Sequence, residues 1–555
     1  MKSILKIRMI NQCRVCYYLM IVILASVVLA GSVLLMSAVI QDATDVGVAK
    51  TKKTKGQVDA LAYRMDLKLD EKKDRLYETV FMTFKNRTNK AVRTIVIRDM
   101  NPEILAYARK NYAGEGNKGK RCRLESVAYK GKKLRVKKNK TGSVIKVIFG
   151  KRAALGRGDK RTVKIRLYTD IPNRQDRFAV QKIKKGKQYA LSFCFPYLAD
   201  NRNGKWNKDP FYDDGESRSE DLADYKVRFT APARYVVAAT GSELSMKAGK
   251  ENNEKSRKVG WKNGNEKKTG RSGKGGRAIT TINAEKVRDF AIVASDRMKK
   301  ETFTVKGIIV NNYYLDNGKY VRQYRKLSRM IVRDAIRIYT KKIGRYQYKE
   351  LDITECLFGM GFGGMEYPQM VMTNGSAYYD GLGPRFGAYA LVEGLSHEIG
   401  HQWFYAAVGN NEYREGWIDE GFTSMIEKEL FMVTDCPTGR YLRKIDRDVE
   451  SVSVLRKSLK EDFDYFVGSH KRFHINIPSN RMTEDKDLGE VYYTGGQYFL
   501  HDVKNKMGAW KFAKFLRDYY KTYTLKTVTC ADVVKMIRKH DGSRGMKKVI
   551  GYWIK

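Results

Sequence analysis

Proline is scarce in this 555-residue chain, at nine, and cysteine and histidine are scarcer, at seven and six. Nine prolines beside 35 tyrosines exclude a collagen-like or proline-rich scaffold. Seven scattered cysteines are not a disulfide framework. Of Cys122, Cys194, Cys356, Cys436 and Cys530, most read as small buried apolar residues. Cys13 and Cys16 form a C-x-x-C with no second pair, which is weak evidence for metal or redox chemistry. Acid is also short, at 61 Asp plus Glu against 108 Lys plus Arg, a net charge of +47. Such a charge predicts attraction to a polyanion without saying which. What is plentiful is apolar material. At 42% hydrophobic and 11% aromatic residues, the chain is not intrinsically disordered, and its length suggests several domain-sized units.

One long uncharged run stands out. Tyr17 to Ile40 has 24 residues, long enough as a helix to cross a bilayer. Lys2, Lys6, Arg8 and Arg14 precede it, and Asp42 and Asp45 follow. The positive-inside rule then leaves residues 1–16 as a cytoplasmic basic segment and carries the body across the membrane. The run exceeds the apolar region of a cleaved signal peptide, so a retained single-pass anchor in the cell membrane is expected. An extracytoplasmic body makes nucleic acid an unexpected partner. Anionic lipid or a cell-wall polymer becomes the expected counter-charge.

Residues 41–58 are polar and Lys-rich and read as a tether. From Tyr63 the pattern alternates with period two, through Met65, Leu67 and Leu69, then Tyr77 to Phe84 and Val92 to Ile97, with polar turns between. That is the signature of antiparallel strands. It continues to about residue 300, interrupted at 247–277 by a basic, Gly-rich stretch expected to be a flexible insertion. Then the period changes. Val321, Tyr324, Leu327, Met330, Ile331, Ala335, Ile338 and Tyr339 recur at helical spacing and stop near Gly344. A short strand is expected near Leu351 to Cys356, and helices from Tyr389 onward.

The chemistry concentrates at His397-Glu398-Ile399-Gly400-His401, an H-E-x-x-H that uses two of the six histidines. Four residues apart on a helix, the two imidazoles can share one Zn²⁺, with Glu398 placed to reach a metal-bound water. A catalytic zinc needs one more protein ligand. Glu420, in Trp417-Ile418-Asp419-Glu420-Gly421-Phe422, follows His401 after 18 residues. The turn at Gly409-Asn410-Asn411 lets a second helix fold back and deliver it. Asp419 orients a ligand histidine, caps a helix or lies at the surface. His470, His474, His501 and His540 fit no ligand spacing.

These residues resemble the M1 family of zinc aminopeptidases, gluzincins related to aminopeptidase N and leukotriene A4 hydrolase. Gly363-Gly364-Met365-Glu366-Tyr367-Pro368 is similar to that family's G-x-M-E-N motif, with Tyr367 where Asn usually stands. By this resemblance Glu366 grips the substrate's free α-ammonium, and Gly363, Gly364 and Met365 line the peptide. Val491-Tyr492-Tyr493-Thr494-Gly495-Gly496 is similar to the family's Y-x-x-G segment. It implies that Tyr493, with Tyr492 as the fallback, donates to the oxyanion.

The resemblance implies an α+β multidomain fold with an N-terminal transmembrane helix. A β-rich, saddle-like domain at 59–303 precedes a mainly α-helical, thermolysin-like zinc peptidase domain at 304–555. The chain looks like a membrane-anchored bacterial-type member without the large C-terminal helical domain. One zinc per chain at His397, His401 and Glu420, with Glu398 as general base, would remove residues from peptides with a free N-terminus. Two alternatives stay open. One is a membrane-anchored binding protein on a vestigial M1 fold, against which the intact ligand set argues. The other is an endopeptidase using the same helix.

Overall fold

The alternation at Tyr63, Met65, Leu67 and Leu69 becomes the strand Val58–Asp70, with all four side chains buried. It turns at Asp70, whose Oδ1 accepts from the amides of Lys72 and Lys73 at 3.2 Å each, and returns as Arg75–Asn86. Such a side-chain bond to the following backbone is what makes Asp a turn former. The computed structural model describes residues 57–554, apart from 184–185, 202–203, 214, 218–220, 250–275, 317–318, 360–362, 446–450 and 484–486. The anchor expected at 17–40, the segment 1–16 and nearly all of the tether lie outside the described residues. Among the described residues no helix is long and apolar enough to cross a membrane.

The hairpin sits at the centre of an eight-stranded sheet. Its order is Ser242–Gly249, Arg277–Val287, Ala223–Pro232, Val58–Asp70, Arg75–Asn86, Lys160–Asp170, Cys122–Tyr129 and Lys132–Lys133. Most neighbours are antiparallel, as the alternation predicts. Val58–Asp70 and Ala223–Pro232 pair in parallel, with Met65 opposite Val227. Parallel pairing needs a long connection, which the intervening strands supply. Two four-stranded sheets and the helix α1 (Asn101–Asn111) complete this half. Its core stacks Tyr63 on Tyr225 at 4.9 Å between ring centroids, and Tyr225 on Phe290 at 5.6 Å. The ends of the expected insertion pair with each other, Gly249 opposite Arg277, while its interior lies outside the described residues.

A second, five-stranded sheet follows, in the order Met298–Val305, Ile308–Leu315, Glu350–Glu355, Met370–Thr373 and Gly364–Met365. Only one strand was legible here in the sequence, because the inner strands Glu350–Glu355 and Met370–Thr373 are buried on both faces and lose the two-residue alternation. The first of them runs through residue 303, paired along its whole length with the next. The helix α2 (Val321–Lys342) is the crossover between the parallel strands Ile308–Leu315 and Glu350–Glu355.

Helices make up most of the remainder. α3 (Ser376–Gly400) is broken at Gly383, φ 74°, and Pro384 opens its second piece. Proline suits the first turn of a helix, where its missing N–H costs nothing. α4 (Trp417–Ile426), α5 (Pro437–Ile445) and α6 (Gly496–Met507) come next, and a π-helical segment, Gly489–Gly495, leads into α6. α2 braces α3, with the Tyr339 hydroxyl donating to the Ser396 carbonyl at 3.0 Å. Arg288 ties the β-rich half to the helical half. Its guanidinium donates to the Tyr405 carbonyl at 3.0 Å and to Thr527 Oγ1 at 2.8 Å. A Cβ on Gly409 would lie 2.2 Å from Arg288 Nε, so glycine is required there.

Candidate active site

The last turn of α3 carries His397 and Glu398, and His401 follows directly. Leu395 and Ile399, fully buried, hold that turn against the core. Glu420 sits in the first turn of α4. The turn at Asn410 delivers it, since Asn410 Nδ2 donates to the Glu415 carbonyl and to Asp419 Oδ1, both at 3.0 Å. Three atoms then converge. His397 Nε2 lies 3.1 Å from Glu420 Oε2 and 3.1 Å from His401 Nε2, and His401 Nε2 lies 3.2 Å from Glu420 Oε2. Donors about 2.0–2.2 Å from one tetrahedral ion stand roughly 3.3 Å apart, so this buried triangle fits a Zn²⁺-sized ion.

The far side of each imidazole is also held. His401 Nδ1 lies 3.1 Å from the Phe404 carbonyl, a contact only an Nδ1–H can make, and 3.2 Å from Thr423 Oγ1. His397 Nδ1 lies 3.3 Å from Glu427 Oε2. Both pairings turn the Nε2 lone pair toward the triangle. Glu427 is the orienting carboxylate that the sequence left to Asp419. Asp419 bonds Asn410 instead and caps the turn. Glu427 lies seven residues beyond Glu420, two helical turns on the same side, and that spacing was the missed signal. Lys428 Nζ, 2.9 Å from Glu427 Oε1, balances the charge behind it.

Burial works against a charged imidazole at His397, yet hydrogen bonds to Glu420 and Glu427 raise it to about 10. Burial likewise opposes charge on His401, and the charge of Glu420 prevails and raises it to about 9. Burial pushes Glu420 up, but His401 and His397 together hold it well below the carboxylate range. Without an ion the triangle therefore keeps protons that a metal would displace.

Glu398 is buried beside the triangle. Burial raises it to about 7, and Glu420 and Glu216 add to this against the pull of His397 and His401. It packs on the edge strand Gly364–Met365. A Cβ on Gly364 would meet Glu398 Cγ at 2.6 Å and the Met372 carbonyl at 2.6 Å. Gly363 accepts from the Tyr378 hydroxyl at 2.8 Å. Glu366 is buried, and burial followed by Glu216 pushes it well above the carboxylate range. Gln402, next to His401, donates from Nε2 to the carbonyls of Glu366 at 3.0 Å and Tyr367 at 3.2 Å. Its Oε1 accepts from the Gln369 amide at 2.9 Å. One side chain thus locks the Glu366 loop to the helix bearing His397. Sequence reasoning passed over Gln402, whose position after H-E-x-x-H was its only signal.

Two residues from the β-rich half enter the same region with no sequence signal. Arg177 ion-pairs with Glu216, donates to the Gly215 carbonyl at 2.8 Å and lies 3.5 Å from Met365 Sδ. Tyr367, in the place where Asn was expected, is buried, and burial raises its phenol well above the usual range.

The two candidate tyrosines separate cleanly. Tyr493, in the π-helical segment, donates to Glu420 Oε1 at 2.6 Å and stacks on His397 at 5.5 Å and 20°. Tyr492 donates to the Ile477 carbonyl at 2.7 Å, away from the triangle, and is a packing residue. Glu420 and Tyr493 meet because Gly421 and Gly496 let α4 and α6 touch. A Cβ on Gly421 would stand 2.6 Å from Gly496 Cα.

Residues 331–553 match the family profile described as the peptidase family M1 domain. Leucine aminopeptidase 2 of Yarrowia lipolytica is 23% identical over 187 residues, covering 33% of this chain and 27% of that protein. Human aminopeptidase O is 22% identical over 160 residues, covering 26% and 19%. The chain spans about a quarter of the length of such relatives. The M1 zinc metallopeptidase of Deinococcus radiodurans shares the fold over 90% of this chain and 93% of its own, with a TM-score of 0.58 and 15% identity. A mutant of that protein bound to a Tyr-Ser-Ala substrate aligns with a TM-score of 0.55 at 15% identity, over 89% of this chain and 94% of its own. The fold is similar to that of this M1 zinc metallopeptidase, with a β-rich part followed by a helical part.

Proposed function

We propose, on the premise of the family M1 peptidase domain at residues 331–553, that this chain is a zinc-dependent aminopeptidase acting on peptides with a free N-terminus. The observation that carries this reading is the buried triangle of His397, His401 and Glu420 with Glu398 and Glu366 in the same pocket of charge. His397, His401 and Glu420 are the residues that would hold the zinc. When bound, zinc supplies a Lewis acid that makes water acidic and polarises a carbonyl.

The chain's own residues do the rest. Glu398 takes a proton from the attacking water and hands it to the departing amine. A carboxyl raised to about 7 suits both tasks near neutral pH. Tyr493, whose phenol stays protonated because burial raises it, donates to the developing oxyanion in exchange for Glu420 Oε1. Glu366 receives the α-ammonium of the substrate. Its burial among other carboxylates makes its own negative charge costly, and an ammonium relieves that cost. Gly363, Gly364 and Met365, on the edge of the five-stranded sheet, line the first residue of the peptide. A free N-terminus seated on Glu366 confines attack to the first peptide bond, which separates this reading from an endopeptidase.

Glu398→Gln is expected to lower hydrolysis of aminoacyl-chromophore substrates by about 10²–10⁴-fold while bound zinc is unchanged. Metal content and rate are measured on the same preparation. Full activity in that variant would sink the proposal, and equal cleavage of N-terminally blocked peptides would replace it with an endopeptidase.

A further inference from the structure

The outer face of α2 has no part in the zinc site, and its charge is almost all of one sign. The helix carries Arg322, Arg325, Lys326, Arg329, Arg333, Arg337, Lys341 and Lys342 against one carboxylate, Asp334. Asp334 is buried and accepts from the Thr438 amide at 2.8 Å and its hydroxyl at 2.7 Å. It therefore spends its hydrogen bonds on Thr438 rather than on the cations of the outer face. Arg322, Lys326, Arg329, Arg333 and Arg337 are spaced by three or four residues, so they form one stripe, about 22 Å long at the helical rise. Only Arg325 has an acidic partner, Glu301, at 2.6 Å. Among the described residues no carboxylate reaches the other five.

Folding does not ask for this arrangement. Five pairs along the helix, 322/326, 325/329, 329/333, 333/337 and 337/341, put like charges four residues apart, and each destabilises an isolated helix. A surface helix stabilised for its own sake alternates signs instead. The guanidiniums are also pre-positioned. Arg329 and Arg333 lie over Phe303 at 5.0 and 5.4 Å from the ring centre, and Arg325 over Tyr314 at 4.5 Å. Stacked guanidiniums keep their hydrogen-bonding edges free and lose little freedom on binding an oxyanion. The stripe borders a cavity of about 640 Å³ with Met330 and Pro437 in its lining, where the two carboxylates, Glu301 and Asp334, are engaged by Arg325 and Thr438.

We propose that this groove is a binding site for a linear polyanion built of phosphate groups, laid along α2. Planar forks bond phosphate oxygens two at a time, which lysines do not. The concavity favours a chain laid along the groove over the flat surface of a bilayer. The inference stands apart from the aminopeptidase reading. It uses no residue of the zinc site, and α2 meets α3 through the opposite face at Tyr339.

A chain of +47 binds polyanions everywhere to some degree, so the test compares two variants of equal charge. The full-length protein is titrated with labelled short-chain inorganic polyphosphate over a range of salt. Replacing Arg322, Arg329, Arg333 and Arg337 by Gln is expected to weaken binding by more than about tenfold and to reduce the slope of log affinity against log salt by about 3. Replacing the exposed Lys132, Lys133, Lys137 and Lys138 by Gln removes the same charge from the β-rich half and is expected to cost less than about threefold. Thermal unfolding checks that each variant is folded. The corresponding fourfold Arg→Lys variant, safer for folding, is expected to bind between wild type and the Gln variant. Equal losses in the two Gln variants would overturn the proposal. So would phosphatidylglycerol vesicles losing as much as polyphosphate, because the stripe would then read a membrane.

Discussion

Glu427 shows how much a single side chain behind the site contributes. It touches no reacting group, yet it fixes which nitrogen of His397 faces the triangle. Its replacement by Ala frees the ring to rotate and to carry its proton on the wrong nitrogen. We expect Glu427→Ala to lower zinc affinity by about 10–100-fold, read by competition with a chromophoric chelator. Unchanged affinity would mean that the position of His397 owes nothing to Glu427. Gly364 acts by omission. With Glu398 Cγ and the Met372 carbonyl both 2.6 Å from where a Cβ would stand, any side chain displaces the carboxyl proposed as the general base. The acid groups share one physical cause. Glu398, Glu366 and Glu216 are pushed up first by burial, and nearby carboxylates add to it: Glu420 and Glu216 for Glu398, Glu216 for Glu366, Glu420 and Asp289 for Glu216.

At the scale of elements, the site is a set of crossings. α3 brings two histidines, α4 one carboxylate, the π-helical segment one phenol and an edge strand the glycines. α4 and α6 approach with no side chain between them, since Gly421 and Gly496 face each other. A methyl group there pushes the two helices apart, and with them Glu420 and Tyr493. Gly421→Ala is expected to cost about 1–3 kcal/mol, as overpacking of a filled contact does, and to lower kcat. A melting temperature equal to that of the wild type would show that the contact has slack. The wide turn of the π-helical segment is what aims Tyr493 at Glu420 while Tyr492, its neighbour, points to Ile477. π-Turns inside helices recur at functional sites for this reason.

At the scale of the whole molecule, charge is sorted by depth. The surface carries the excess of Lys and Arg, and the interior keeps carboxylates. Asp352, on the strand Glu350–Glu355 of the five-stranded sheet, is pushed up to about 8 by burial first and Glu350 second, against a hydrogen bond from Asn311 at 2.8 Å. Its folded value lies above the unfolded value of about 3.9, so its contribution is full below about pH 4 and is lost as pH rises to about 8. The slope in that window is roughly 1.4 kcal/mol per pH unit for this one group. Asp352→Asn, which keeps an acceptor and cannot ionise, is expected to flatten the fall in stability from about pH 5 to about pH 8 in denaturant titrations. Equal slopes for wild type and variant would show that Asp352 ionises freely in the folded chain. What the sequence alone determined is local. Helical spacing placed His397, Glu398 and His401 together, one turn of α4 offered Glu420, and alternation located the long strands of the first half. α2 was legible from Val321 to its end, because its apolar stripe repeats along one helix. Tertiary structure decided the rest. Glu427 replaced Asp419 behind His397, Gln402 locked the Glu366 loop, Tyr493 separated from Tyr492, and Arg177 with Glu216 arrived from the β-rich half. The expected single strand near Leu351 became part of a five-stranded sheet. These features join residues tens to hundreds of positions apart. Periodicity describes neighbours along one element, whereas burial and close approach between elements exist only once the chain has packed.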